Sequence, residues 1–360
     1  MPSVTFIADK NCFSLTKIGG TDSYMRRLTD VLLQNSIKIN LVYCNSNCVK
    51  NYKYKNITIY ELPNIKSVIK LIKNLDNIFI CYLSLSDRIK FILYRNIFCF
   101  RKKISLILFF YPDTFLKKIS RIIEFGMINY SSIICVSKRI NNFANEFHRK
   151  TCFLPPIIPD SYIKKGLSRI EKNSNNKRLN NALFLGRIDA RKGILEVIKL
   201  AKLTKDLINW TISGIKIDSD RPEMILKDLK KIDHINVIMN NREKYKKKID
   251  DDVIQYMLKN DFFLQPYKNL KSTVDLPLLI LEAQACGCIV ITSLPELLNE
   301  YLMYPSLAFK DFDVKNVKDF MCNFSKNADL NQSIKKAILK IESNYSKRII
   351  LKKFIEILND

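Results

Sequence analysis

Histidine and tryptophan are nearly missing from this chain: its 360 residues include two histidines, His148 and His234, and one tryptophan. None of the ten cysteines forms a Cys-x-x-Cys pair. The spacings Cys44-x3-Cys48 and Cys286-x-Cys288 have no partner ligands, so no metal site is expected. Most of these cysteines stand inside apolar, strand-like runs, among them Cys81 in IFICYL, Cys135 in SIICVS and Cys152 in TCFLP. A thiol in that setting behaves as a small buried hydrophobe. No apolar run approaches the roughly 18 residues that span a bilayer. The opening MPSVTFIADKN has no basic segment followed by an apolar core, so no signal peptide is expected and the chain is placed in the cytoplasm. Neither an internal repeat nor a groove-reading module is present, which argues against a dedicated nucleic-acid binder.

Apolar residues make up 47% of the sequence, as in a well-packed globular protein, and the length suits two domains of about 150–180 residues. Charge is where the composition departs from the ordinary. The formal net charge is +25, and residues 1–165 hold 26 Lys/Arg against 10 Asp/Glu. Such a field favours anionic partners: phosphorylated substrates, acidic lipid or nucleic acid. The chain is also rich in Lys, Asn and Ile, and biased codon usage is the alternative source of that excess.

Short β-branched runs alternate with longer periodic ones throughout. In the first half strands are expected at 4–9, 37–44, 57–62, 78–84, 104–111 and 132–137. Their continuous apolar character marks strands buried on both faces, as in parallel sheets. Residues 20–35 repeat apolar positions at Tyr24, Leu28, Val31 and Leu32, the spacing of an amphipathic helix. The polar stretch 164–181, KKGLSRIEKNSNNKRLNN, reads as a linker. Strand patterns resume at 181–186, 209–214, 235–240, 262–266 and 288–293, and the chain closes on a helical pattern with Ile350, Phe354, Ile355 and Leu358 on one face. Two successive β/α blocks imply an α/β protein of two doubly wound domains.

Ligands of such sheets bind beyond the carboxyl ends of the strands, so the residues just after strands are the candidates. LFLGRIDARKG (183–193) ends a strand in Gly186, which lets a ligand approach the backbone. Arg187 offers a fork that matches phosphate oxygens, and Lys192 adds a point charge. The bland alternative is a basic surface loop. LPLLILEAQACG (276–287) reads as a helix with Pro277 in its first turn and Asp275 or Thr273 as N-cap. The N–H groups of Leu278 and Leu279 then open a helix terminus that attracts anions. Glu282 stands alone among apolar neighbours, and must meet a salt-bridge donor, a ligand hydroxyl or water. Gly19-Gly20 precedes the first long helix as a phosphate-approach loop, but without the full Gly-x-Gly-x-x-Gly it does not make a dinucleotide site.

Taken in order, GGTDSYMRRLTDVLL, FLGRIDARKG, WTISG and LPLLILEAQACGCIVITS resemble glycosyltransferase family 4 over nearly the whole chain. The resemblance implies the GT-B fold, two Rossmann-like domains with a cleft between them. Residues 1–165 would be the acceptor-side domain, 166–180 the linker, 181–340 the nucleotide-sugar domain, and 341–360 a helix crossing back. It implies that Arg187 and Lys192 neutralise the donor diphosphate and that Glu282, second glutamate of a Glu-x7-Glu motif, holds the ribose. Gly19 and Gly20 would lie near the donor phosphates and acceptor, Gly186 and Gly214 at the strand ends lining the donor, and Asn241 beside the base. The first motif glutamate is replaced by Val274, with Asp275 next to it as a substitute for contacting the sugar. Asp275-Leu276-Pro277 stands where the family often has Gly-Phe-Gly, and Tyr111-Pro112-Asp113 where it often has a histidine.

The implied chemistry is retaining transfer from a UDP- or GDP-linked sugar to a glycan or lipid-linked acceptor, without metal or other cofactor. Arg187, Lys192 and a helix dipole would stabilise the leaving diphosphate. The Asp-x-Asp matches at Asp250–Asp252 and Asp218–Asp220 read as a helix-terminal acidic cluster and a polar loop. Between Arg88 and Arg121, nine Lys/Arg and one acidic residue interleave with aromatics. That stretch reads as core strand or as a patch resting on an anionic membrane surface. The remaining alternatives are a transferase acting on nucleic acid and an inactive homologue serving as a binding subunit. A nucleotide-sugar epimerase is disfavoured by the scarcity of histidine and carboxylate near these motifs.

Overall fold

The structure, a computed structural model, describes residues 2–9, 19–46, 49–54, 56–97, 102–172, 179–215, 225, 227–229, 231–240, 249–270, 274–310, 312–324 and 329–359. The chain forms two compact units. One comprises Met1–Ile157, Val274–Leu276 and Lys347–Asp360; the other comprises Ile158–Thr273 and Pro277–Ser346.

The first unit contains β1 (Ser3–Asp9), α1 (Gly20–Gln34), β2 (Lys38–Cys44), β3 (Lys50–Tyr54), β4 (Ile57–Glu61), α2 (Ile65–Ile72) and β5 (Ile78–Tyr82). It continues through α3 (Leu85–Ile97), β6 (Ile104–Leu108), α4 (Phe115–Ile128), β7 (Ser132–Cys135), α5 (Lys138–Asn145) and β8 (Thr151–Phe153). The sheet order is β3-β4-β2-β1-β5-β6-β7-β8, parallel except where β3 returns antiparallel along β4. The apolar run FIA in β1 and all five residues of β6, Ser105 included, are buried on both faces, the condition of a covered parallel sheet. The expected helix over 20–35 is α1, with Tyr24, Leu28, Val31 and Leu32 all buried.

The second unit contains α6 (Asp160–Lys172), β9 (Asn181–Arg187), α7 (Ile194–Leu203), β10 (Asn209–Ile215), β11 (Ile235–Asn240), α8 (Ile249–Lys259) and β12 (Phe262–Gln265). It ends with α9 (Leu278–Ala285), β13 (Ile289–Ser293), α10 (Pro295–Leu298), β14 (Leu307–Phe309), α11 (Val314–Phe324) and α12 (Leu330–Tyr345). All strands of its sheet, order β11-β10-β9-β12-β13-β14, are parallel. The last helix, α13 (Lys347–Asn359), belongs to the first unit. Its Phe354 ring lies 6.5 Å from Phe6 and 5.4 Å from Phe79, and Ile350 is buried beside them. Full burial of two such side chains contributes roughly 1.5–3 kcal/mol each. On the same helix Ile355 is exposed.

The polar stretch expected as a linker is in fact helical as far as Lys172. Its lysines and arginines hide a stripe of Tyr162, Ile163, Gly166 and Ile170, all buried. Arg169, one of the charges that made the stretch look exposed, bonds Asp261 Oδ1 at 2.8 Å. Asp261 Oδ2 accepts the backbone N–H groups of Asn180 and Asn181, each at 3.1 Å. α6, the start of β9 and the start of β12 are thereby tied at one buried point.

Among the described residues no helix is long and apolar enough to cross a membrane. The thiols of Cys44, Cys81, Cys135, Cys286 and Cys288 are buried, while Cys152 and Cys322 are partly covered.

At Gly166 an added Cβ would lie 2.0 Å from the Ala285 carbonyl oxygen, so α6 touches the backbone of α9. Gly166→Ala is expected to destabilise by about 1–3 kcal/mol, read as a lowered urea midpoint. Gly126→Ala, in a helix with open space at that position, is expected to be neutral or stabilising by up to about 1 kcal/mol.

Candidate active site

In the second sheet the strand order runs outward from β9 through β10 to β11, then resumes on the other side of β9 with β12. The gap between β9 and β12 is therefore the topological switch point, where α/β sheets bind ligands. The β9–β12 ladder pairs Ala182 with Phe262 and Leu183 with Phe263. Further along, the Gln265 side-chain amide donates to the Leu185 carbonyl and spans the opening. Gly186 follows at φ 151°, and an added Cβ there would meet only the Gln265 amide nitrogen, at 3.7 Å. That conformation suits glycine and leaves the strand end open to approach.

Arg187 ends β9. Asp189 then caps the 3-10 turn Ala190–Lys192, accepting the Arg191 N–H at 2.8 Å, and both its oxygens bond the Arg191 guanidinium. Burial would raise the pKa of Asp189. The hydrogen bonds and charge of Arg191, with the charge of Arg187, outweigh that and hold it below the usual carboxylate value. Gly193, at φ 76°, lets the chain pass against Pro266, whose carbonyl oxygen would lie 2.0 Å from any Cβ. This close approach brings Lys192 onto the loop after β12, its Nζ 4.7 Å from the centre of the Tyr267 ring. The loop is fixed from behind: Thr292 Oγ1 donates to the Gln265 carbonyl at 2.6 Å and Ser293 Oγ donates to that of Tyr267.

Lys192 is buried. Burial, then the neighbouring Arg187 charge, pushes its ammonium down from 10.5 to about 7, with Asp189 acting the other way and Arg191 adding to the depression. A buried ammonium held beside a second cation is costly until an anion joins them. A diphosphate is such an anion, and Arg187 supplies the fork that fits it.

α9 follows β12 at the same end of the sheet. Pro277 occupies its N-cap position, one residue earlier than the first helical turn expected for it, and no side chain caps the helix. Leu278 is buried and Leu279 half-buried; Glu282 is buried one turn in, where its charge helps to push up the Cys286 thiol. The space at Gly214 is filled: a Cβ there would lie 2.4 Å from Ile188 Cδ1. Gly214 sits beside Gly186 across the β9–β10 ladder, and its bareness accommodates Ile188. Asn241, Thr273 and Asp218–Asp220 lie outside the described residues, as do the side chains of Asp250 and Asp251.

Gly19, Gly20 and Asp275 belong to the first unit. Gly20 opens α1, and a Cβ on it would meet Val274 Cγ2 at 3.0 Å. Gly19 precedes it with Asp22 Oδ2 only 2.6 Å from where its Cβ would stand. Asp275, expected as a helix cap or sugar ligand, does not cap α9. Its Oδ2 accepts from Ser137 Oγ at 2.5 Å and its Oδ1 from Arg139 at 3.4 Å, with Arg139 stacked 3.6 Å from the Tyr111 ring centre. The charge of Arg139 and the Ser137 hydroxyl draw it there because a buried carboxylate needs donors.

Among the described residues the one group spaced to hold a metal is Asp9, Cys44 and Asp87, in the first unit. The Asn45 amide already bridges it, donating to Asp9 Oδ2 at 2.9 Å and Asp87 Oδ2 at 2.8 Å, while Ser84 Oγ donates to Asp87 at 2.7 Å. An amide between two carboxylates takes the space and part of the electrostatic role of a cation.

The sequence profile of glycosyl transferases group 1 matches residues 168–348, half of the chain. The chain belongs to that family. This glycosyltransferase has no match among curated proteins. Anabaena HepE, solved in complex with UDP, is similar over 100% of both chains with a TM-score of 0.72 at 11% identity. Sucrose-phosphate synthase from Thermosynechococcus elongatus covers 100% of this chain and 98% of its own at a TM-score of 0.71 and 11% identity. A glycosyltransferase from Rickettsia africae reaches 15% identity and a TM-score of 0.68 over 99% and 97%. At these identities the likeness establishes the fold, GT-B.

Sequence reasoning passed over Gln265, Tyr267 and Asp189. Gln265 ends β12 and Tyr267 lies two residues beyond it, so the same strand-end rule that singled out Arg187 applies to them. Because burial pushes the Lys192 ammonium down to about 7, binding of an anion that restores its charge must draw a proton from solution onto Lys192. Titration with inorganic pyrophosphate in buffers of different ionisation enthalpy is expected to show close to one proton taken up at about pH 8 and little below about pH 6. Lys192→Met removes the uptake. The unliganded fold gains stability as pH rises from about 7 towards 10.5, because the unfolded chain keeps a proton that the folded one has shed.

Proposed function

We propose that this glycosyltransferase takes a hexosyl group from a nucleotide-diphosphate sugar and passes it, with retention and without a metal, to a glycan or lipid-linked acceptor. The supporting observation is buried Lys192 beside half-buried Arg187 at the β9–β12 switch point. Breaking the donor bond builds negative charge on the leaving diphosphate. Cations already held in a dry corner stabilise that charge more than they stabilise the ground state. The uncapped start of α9, with the Leu278 and Leu279 N–H groups, adds a favourable dipole. The resemblance assigns Glu282 to the ribose hydroxyls, Gly186 to the donor's path, Gly19 and Gly20 to the phosphate and acceptor side, and Asn241 to the base. A nucleoside diphosphate in HepE is consistent with that donor class. Retention rests on the resemblance, and the cytoplasm is the proposed compartment.

A second reading, a donor-binding subunit without turnover, draws on Val274. It stands where the family has its first motif glutamate and packs against the bare Gly20.

Thermal shift against UDP, GDP and their sugars tests both. A nucleotide at about 100 times its dissociation constant is expected to stabilise by about 2.7 kcal/mol. Arg187→Ala and Glu282→Gln should each weaken binding by about 1.5–3 kcal/mol, and Arg187→Ala should lower turnover by about 100- to 1,000-fold. Stabilisation with neither hydrolysis nor transfer selects the subunit reading; no response to any nucleotide removes both.

A further inference from the structure

A helix that covers one side of a sheet ordinarily turns polar residues outward. α4 does not. It buries Phe125 and Ile128 inward, yet Phe115, Leu116, Ile119, Ile123 and Met127 are exposed, Phe115 at 75% and Leu116 at 78%. At 100° per residue these five fall within an arc of about 120°. Gly126 lies in the same arc with no side chain to interrupt it. α3 repeats the pattern with Leu85, Ile89, Leu93 and Ile97, spaced by four and all exposed, Ile97 at 67%.

The two helices are neighbours. They join β5 to β6 and β6 to β7, adjacent parallel strands, and right-handed crossovers put both on one face of the sheet. Arg88 of α3 pairs with Glu124 of α4. Glu124 also accepts from Arg121 at 2.9 Å and from the Tyr130 hydroxyl at 2.8 Å. This buried clamp holds the two outward arcs side by side, each about 20 Å long.

Charge decides what covers them. The acidic side chains of residues 85–128 are Asp87 and Glu124, both buried and bonded, and Asp113, paired with Lys117 at 2.6 Å. Lys90 and Lys103 are exposed, Lys102 meets Asp76 Oδ1 at 3.4 Å, and the nine Lys/Arg of residues 85–128 against these three acidic residues leave the rim basic. A second copy would bring the same basic rim against it and be repelled. A phospholipid surface offers apolar chains for the arcs and anionic headgroups for the lysines, whose stems can lie along the apolar surface.

We propose that the outer faces of α3 and α4 together dock this protein on an anionic lipid bilayer. The full-length chain is tested by flotation with phosphatidylcholine vesicles and with the same vesicles containing phosphatidylglycerol. Binding to the anionic vesicles alone, weakened by salt, is expected. Phe115→Trp should shift its emission to the blue on those vesicles, against the constant signal of buried Trp210. Leu93→Glu/Ile123→Glu, at exposed positions, is expected to lower partition about 100-fold with an unchanged thermal midpoint. Equal partition on neutral and anionic vesicles, or unchanged partition of the double variant, overturns the proposal. So does self-association dispersed by the same substitutions, which makes a second copy the occupant. Vesicle binding is read without nucleotide, and pyrophosphate binding without vesicles, so this surface and the transferase reading stand or fall separately.

Discussion

The backbone at Gly193 runs so close to Pro266 that a single methyl group would overlap the proline carbonyl. Much at the end of the second sheet depends on that approach. It joins the turn after β9 to the loop after β12, two strands whose ladder has already parted, and it seats Lys192 over Tyr267. The Lys268 N–H donates to the Arg191 carbonyl at 3.0 Å, and the Lys268 ammonium meets Glu196 at 3.2 Å, so the two loops are sewn from both sides. The lysine thus has little freedom to leave its dry position for water. Its charge is retained only at a cost, and Asp189, the nearby carboxylate, is engaged by Arg191.

The first sheet treats its polar groups in the opposite manner. Asp9 and Asp87 share the Asn45 amide, and Asp275 is met by Ser137 and Arg139. Val274 adds a hydrophobic contact to the core of this unit, at the position where the resemblance implies a carboxylate. The departure noticed in the motif is therefore a packing choice as well as a chemical one.

Strands were legible where both of their faces are covered, as in β1, β5, β6 and β13, because continuous apolar runs have no other use at that length. The motif residues Gly186, Arg187 and Lys192 drew notice for a related reason: they stand at or just after the end of such a run. β3 was not, since KNYKY is exposed at all five positions and pairs antiparallel at the sheet edge. β8 and β14, three residues each, are too short to show alternation. α6 was hidden because its apolar stripe is thin and a lysine-rich surface surrounds it. The purpose of Gly214 and the role of Tyr267 depend on what neighbouring strands bring, Ile188 in one case and Lys192 in the other. Proximity between strands far apart in sequence is a property of the fold, and no local pattern records it. The outward apolar arcs of α3 and α4 were half legible: the aromatics and basic residues were plain, but periodicity alone does not say which face meets the sheet.

The buried thiols have a use of their own. Burial pushes up Cys81 and Cys135 in the first sheet, and Cys286 and Cys288 beside the second, with Cys288 at about 11. A thiol both shielded and protonated reacts with an alkylating reagent only after its surroundings open. Each unit therefore carries native reporters of its own opening. Mass-resolved alkylation rates at these cysteines would separate sub-global unfolding of one unit from that of the other, without any label having to be introduced.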